Sequence, residues 1–181
     1  DWGRDVQKFD ISTLTQNQTV NFLLGQSEGN AKEEFNLFFQ RLNGFPLALA
    51  QVAAFIKQER LSLSDYISIF NSEYKTLWGS ANADPEKSHE RVISVTMGIS
   101  LKSIKTKHPA AIELLSFFAS LNPGLILIRN IIKGRNRLPR PHNALFELNK
   151  SINYLHRYAL INKRGGIVST LIKTYILSDP K

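Results

Sequence analysis

One stretch, LNGFPLALAQVAAFIKQ between Leu42 and Gln58, constrains the fold more than any other part of the chain. From Leu47 to Ile56 the apolar residues fall on every face of a helix, and a helix that is apolar all round has to be buried on all sides. Gly44 suits the end of the preceding helix, and Pro46 suits the first position of the next one, where its missing N–H leaves no bond unmade. The sequence therefore predicts a buried helix that begins at Pro46.

Apolar residues at helical spacing predict three further helices around this one. Thr15 and Gln18 have the spacing of a capping box, which marks a helix start. The four predicted helices cover about 15–24, 30–42, 46–58 and 61–77. Residues 15–78 are accordingly predicted to form a four-helix bundle, preceded by a tail or linker over residues 1–14.

A polar stretch over residues 79–91 predicts a linker, and residues 92–181 predict a second domain. Helical patterns resume at about 92–104, 108–121, 125–132 and 144–158, the last with an apolar stripe of Leu145, Leu148, Ile152 and Leu155. Two short apolar runs, 159–162 and 167–169, flank a Gly-Gly turn and predict a β-hairpin, with a final helix near 171–177. Helices followed by a hairpin are typical of a winged-helix domain. The predicted fold class is mainly α, a four-helix bundle followed by a winged helix.

The sequence contains no motif that assembles a catalytic site. It lacks cysteine, the phosphate-binding pattern GxxxxGK[ST], HExxH and GxSxG, and its four histidines lie far apart in the chain. The adjacent acids Glu33 and Glu34 fit a solvated surface. We therefore expect no enzyme activity and no metal site in this chain.

The cellular compartment is predicted from features that the sequence lacks. No apolar run reaches the roughly 18 residues that a membrane span needs, and no signal peptide is visible. The absence of cysteine suits a reducing cytosol. We expect a cytoplasmic protein without membrane contact.

The run RLNGFPLAL, Arg41 to Leu49, resembles the GLPLA motif of the NB-ARC group of STAND nucleotide-binding proteins. Further segments resemble that family's motifs in the family's order: 9–24, 92–101, 109–121 and 144–170. The resemblance covers nearly the whole chain and implies a helical domain followed by a winged helix. Proline is also common at a helix start, so the local sequence by itself leaves a purely structural role open.

The resemblance implies a nucleotide site shared with an upstream domain. Pro46 would lie against the adenine, Gly44 would allow a close backbone approach, and Leu47 would form a wall of the pocket. Ser169 aligns with the histidine that reaches the β-phosphate in the family; a hydroxyl can donate a hydrogen bond but carries no switchable charge. The phosphate-binding loop would lie before Asp1, so we expect ADP or ATP in a full-length parent and no tight binding by this chain alone.

The implied function is regulatory. Exchange of ADP for ATP in the parent would swing the winged helix and expose an assembly surface, a two-state element biased by nucleotide contacts. The expected partners are the upstream P-loop domain, downstream repeats of the same protein and a second copy on activation. Because the chain begins with Asp1 and not with Met, it is expected to be a piece of that longer protein.

A second hypothesis is a winged-helix module that binds nucleic acid. The formal charge is +8, which raises the odds of a polyanionic partner, although a solvated lysine-rich surface gives the same balance. Asn149 and Asn153 fall on the predicted outward face of the 144–158 helix. The candidate phosphate contacts are Lys150, Arg157, Arg135, Arg137, Lys163 and Arg164.

Overall fold

A computed structural model describes residues 15, 18–19, 23, 38–79, 88–121 and 128–161. These residues are mainly helical, which confirms the predicted class at that level. The helices are α1 (Pro46–Glu59), α2 (Leu63–Trp78), α3 (Ser88–Lys107), α4 (Pro109–Ser120), α5 (Ile128–Lys133), a 3-10 turn (Arg135–Arg137) and α6 (Leu145–Arg157). Residues 18, 19, 23 and 38–42 are also helical.

Two of the helix starts are fixed by capping boxes. The Thr15 N–H donates to Gln18 Oε1 at 2.9 Å and the Gln18 N–H donates back to Thr15 Oγ1 at 3.4 Å, so the predicted start at Thr15 is confirmed. At α2, Ser62 Oγ accepts from the Asp65 N–H at 3.1 Å, and Asp65 Oδ2 accepts from the Ser62 N–H at 3.1 Å. Each box satisfies backbone donors that the first helical turn leaves unpaired.

Helix α1 begins where the sequence predicts, with Pro46 as its first residue. The preceding helix ends at Leu42, and Asn43 and Gly44 then take left-handed φ angles of 47° and 62°. The Phe45 N–H donates to the Leu42 carbonyl at 3.0 Å and closes the turn. Most of α1 is buried: Ala48, Leu49, Gln51, Val52, Ala53, Phe55 and Ile56. It packs against α2, α3 and α6, which fits a helix with apolar residues on all faces.

Helix α3 joins the two parts of the described chain. It packs against α1, α2 and α4, while α4 packs against α6. One set of buried apolar residues therefore runs from Leu23 to Ile161. Helix α3 begins at Ser88, within the predicted linker 79–91, and the division into a bundle and a second domain stays a prediction.

Several predicted elements lie partly or wholly outside the described residues. The hairpin is predicted over 159–169. Of this range, Ile161 forms an isolated β-bridge, and the residues after it lie outside the described part of the chain. Residues 38–79, 88–121 and 128–161 contain no strand of more than one residue. The final helix near 171–177 also lies outside them. Leu145, at the first position of α6, is 44 % exposed, whereas the other three residues of the predicted apolar stripe are buried; the buried residues of α6 are Leu148, Ser151, Ile152 and Leu155. In the described part of the chain, no helix is long and apolar enough to span a bilayer.

Candidate functional site

The residues that the resemblance assigns to nucleotide lie at the start of α1. Pro46 is exposed there, Leu47 is half-buried, and Gly44 is buried. Gly44 has a φ of 62°, which glycine adopts without the strain that a Cβ brings, so the turn itself favours a glycine here. The arrangement presents a proline ring outward at the end of an otherwise buried helix. Ser169, the fourth assigned residue, lies outside the described residues.

At the opposite end of α1, the Glu59 carboxylate joins three parts of the fold. Tyr158, just after α6, donates its hydroxyl to Glu59 Oε1 at 2.5 Å, and Ser103 on α3 donates to the same oxygen at 2.6 Å. Lys107 on α3 pairs with Glu59 Oε2. The Phe55 ring packs against the Tyr158 ring with centroids 6.0 Å apart. We call Glu59, Ser103, Lys107 and Tyr158 the carboxylate cluster.

The charge state of this cluster follows from its contacts. Burial alone would raise the pKa of the Glu59 carboxyl, but the three hydrogen bonds that it accepts outweigh burial and lower the pKa below its ordinary value. Burial, together with the hydrogen bond to Glu59, raises the pKa of Tyr158 to about 12. At neutral pH the carboxylate is therefore ionised and the phenol keeps its proton, so the bond between them is charge-assisted.

A buried polar contact also links α1 to α3. Thr96 donates its hydroxyl to Gln51 Oε1 at 2.8 Å and shares it with the Ile93 carbonyl at 3.0 Å. Gln51 and Thr96 are both fully buried. The Gln51 amide nitrogen finds no hydrogen-bond partner among the described residues. Sequence reasoning missed Gln51, although a glutamine inside an apolar helix is a signal that could have found it.

Two histidines that are far apart in sequence lie close together in the fold. His108, just before α4, has its Nε2 3.0 Å from the Ser151 hydroxyl of α6, and its ring lies against Tyr154 with centroids 4.8 Å apart. His142 Nε2 donates to the Ala110 carbonyl at 2.8 Å. Burial lowers the pKa of His108, and Lys150 lowers it further. Because the serine and both histidines are buried, these contacts hold α4 against α6 and offer no nucleophile to a substrate.

The candidate phosphate contacts fall in two places. Lys150 and Arg157 are exposed on one face of α6, and Arg135 and Arg137 form the 3-10 turn between α5 and α6. Arg135 is half-buried, with Nη1 3.3 Å from the Ile132 carbonyl. The other two residues of that set, Lys163 and Arg164, lie outside the described residues.

An exposed aromatic residue accompanies these charges. Phe146, in the first turn of α6, is 75 % exposed, and its neighbour Leu145 is 44 % exposed. Sequence reasoning missed Phe146. The signal was present, because Phe146 lies four residues before Lys150 and so on the outward face of the helix.

Comparisons with known proteins identified no relative of this chain. No family model, no curated protein and no solved structure matches this chain. The likeness to the NB-ARC group therefore rests on the order of motifs in the sequence. Within residues 38–79, 88–121 and 128–161, no group of three or more His, Cys, Asp or Glu side chains could hold a metal ion.

Proposed function

We propose that this chain is the regulatory half of a STAND-type nucleotide switch, in which an upstream P-loop domain holds ADP or ATP. The observation that carries the proposal is the exposed Pro46 at the start of the buried helix α1, preceded by the left-handed Gly44. The proline ring offers the adenine an apolar surface without an N–H, and Leu47 forms the adjacent wall. The part of the chain after residue 91 is proposed to be a winged helix, with Ser169 facing the β-phosphate.

Helix α1 gives this site a mechanical connection to α6. Its 14 residues span about 20 Å, with Pro46 at one end and Glu59 at the other. Glu59 contacts Tyr158 at the end of α6. A change at the nucleotide end of a rigid, buried helix would thus reach α6 through the carboxylate cluster, and α6 is part of the element that the switch would move.

The test is the nucleotide content of the purified full-length parent, measured by denaturing the protein and chromatographing what it releases. We expect ADP or ATP in the unmutated parent and less of it in Pro46→Ala. The matched control is Pro109→Ala, which removes an exposed proline from the first position of α4. Both variants lose the same helix-start preference, so a loss of nucleotide confined to Pro46→Ala reports the site and not the helix.

Two results would contradict the proposal. A parent that carries no nucleotide removes the role assigned to Pro46. Equal nucleotide contents in the Pro46→Ala and Pro109→Ala variants would leave Pro46 with its helix-start role alone.

A further inference from the structure

The basic residues of the chain are concentrated in one described segment. Residues 128–161 contain a single acid, Glu147, against seven cations, whereas the whole chain has a net charge of only +8. The cations are Arg129, Lys133, Arg135, Arg137, Arg140, Lys150 and Arg157. Arg135 is half-buried and the other six are exposed. Within the described residues, none of the seven forms a salt bridge, so their field is open to a polyanion.

The exposed face of α6 combines this charge with an aromatic ring. Phe146, Lys150, Asn153 and Arg157 follow one another at intervals of four, three and four residues, and Asn149 lies three residues after Phe146, so the five share one stripe. Phe146 is 75 % exposed, Lys150 and Arg157 are exposed, and Asn153 is half-buried. The exposed ring, flanked by exposed cations, offers a stacking surface to a planar apolar group.

The loop before α6 brings one further cation, Arg140, to the N-terminal end of the helix. Arg140 lies five residues before Leu145, within about 19 Å even for an extended chain. The intervening chain is turned and not extended, because the His142 N–H donates to the Pro139 carbonyl at 3.0 Å and the Ala144 N–H donates to the Pro141 carbonyl at 3.1 Å. Arg140 therefore lies near the N-terminal end of the α6 stripe.

We propose that the α6 stripe and the preceding basic loop bind single-stranded nucleic acid, with Phe146 stacking on a base and Lys150, Arg157 and Arg140 contacting phosphates. Charge complementarity selects a polyanion, and the accessible ring selects a strand whose base faces are free, because in a duplex neighbouring pairs cover those faces. Asn149 can meet base edges beside the ring. Binding at this face does not require the nucleotide site at α1.

The test uses the full 181-residue chain and a fluorescein-labelled oligothymidylate of about 20 nucleotides, long enough for one such face. Anisotropy gives the affinity over a series of salt concentrations. We expect Phe146→Ala to weaken binding by about fivefold to a hundredfold with an unchanged salt slope, because stacking releases no counterions. We expect Lys150→Gln to reduce the slope of log K against log salt by about 0.7.

Matched controls come from α2. Leu77 is 50 % exposed and Lys75 is exposed on the same helix, so Leu77→Ala and Lys75→Gln remove similar groups outside the basic segment. Neither should change the affinity. Phe146→Trp should retain binding, which separates loss of a stacking ring from any loss of structure. Circular dichroism of each variant checks that α6 is intact.

Four results would overturn the proposal. The first is that the unmutated chain fails to bind the oligonucleotide at low salt. The second is that Phe146→Ala binds as well as Leu77→Ala does. The third is tighter binding of a duplex of the same length, which would make α6 a groove-reading helix instead. The fourth concerns polyglutamate, which we expect to compete poorly; if it competed as effectively as unlabelled oligonucleotide, the face would bind any polyanion through charge alone.

Discussion

Glu59 shows how a single carboxylate can hold together distant parts of a chain. It accepts hydrogen bonds from Tyr158 and Ser103 and pairs with Lys107, although its side chain is only 15 % exposed. A buried carboxylate without such partners would be strongly destabilising, because its desolvation would be uncompensated. The cluster therefore stabilises the fold only while Glu59 is ionised and all its donors are in place.

We predict that Tyr158→Phe lowers the free energy of unfolding by about 1.5 to 3 kcal/mol at neutral pH, which is the usual contribution of a hydrogen bond to a charged group. The folded-state pKa of Glu59 lies below its ordinary value of 4.5, so this contribution is present above pH 4.5 and is lost as the pH falls through the folded-state pKa. The difference between Tyr158→Phe and the unmutated chain should shrink over that acid range. Urea denaturation at a series of pH values measures it.

Tyr154→Phe is the control for this prediction. Tyr154 is half-buried on α6, and its hydroxyl makes no hydrogen bond with the described residues. It should change stability far less and without the pH dependence. A pH-independent loss in Tyr158→Phe would mean that the hydroxyl acts through packing and not through the carboxylate.

At the scale of single elements, local signals predict where helices begin. The Thr15–Gln18 capping box and Pro46 each lie within a few residues of the helix they start, so no knowledge of the fold is needed. The facing of α6 was harder to predict. Leu145 has the spacing of the apolar stripe but lies in the first turn of α6 and is exposed, whereas Ser151 is buried beside the stripe, where it meets His108 from just before α4. A helical pattern cannot show which polar residue will find a buried partner.

The contact between α1 and α3 gives a prediction at this scale. Gln51→Leu removes an amide nitrogen that is buried without a partner, while the Thr96 hydroxyl keeps its bond to the Ile93 carbonyl. We expect the free energy of unfolding to rise by about 1 to 2 kcal/mol, since burying an unpaired polar group costs an amount of that order. Thermal and urea denaturation measure it. A destabilised variant would indicate that the amide has a partner beyond the described residues.

At the scale of the whole molecule, the long-range contacts were beyond sequence reasoning. Tyr158 and Glu59 are 99 residues apart and His108 and Ser151 are 43 apart, so each pairing depends on how several helices pack together. By contrast, Gly44, Pro46 and Leu47 of the candidate nucleotide site are near neighbours in the sequence and could be named in advance. The exposure of Phe146 could not be read from its residue type, since phenylalanine is usually buried.

The continuous core predicts cooperative unfolding. Buried residues of α1, α2, α3, α4 and α6 belong to one cluster, so loss of any of these helices exposes apolar surface of the others. We expect a single transition for the whole chain, with circular dichroism and tyrosine fluorescence giving coincident curves. Two separate transitions would show instead that the regions before and after the predicted linker 79–91 fold as independent units.

The position of the Glu59 partners along the chain has a consequence for biosynthesis. During translation Ser103 and Lys107 are made well before Tyr158, which follows Glu59 by 99 residues. At a ribosomal speed of about 5 to 20 residues per second, about 5 to 20 s pass between the synthesis of Glu59 and that of Tyr158, whose phenol completes the carboxylate cluster. Until then Glu59 lacks the hydrogen bond from the phenol, and α1 remains open along the surface that α6 will cover. Completion of the carboxylate cluster therefore requires synthesis of the chain through Tyr158.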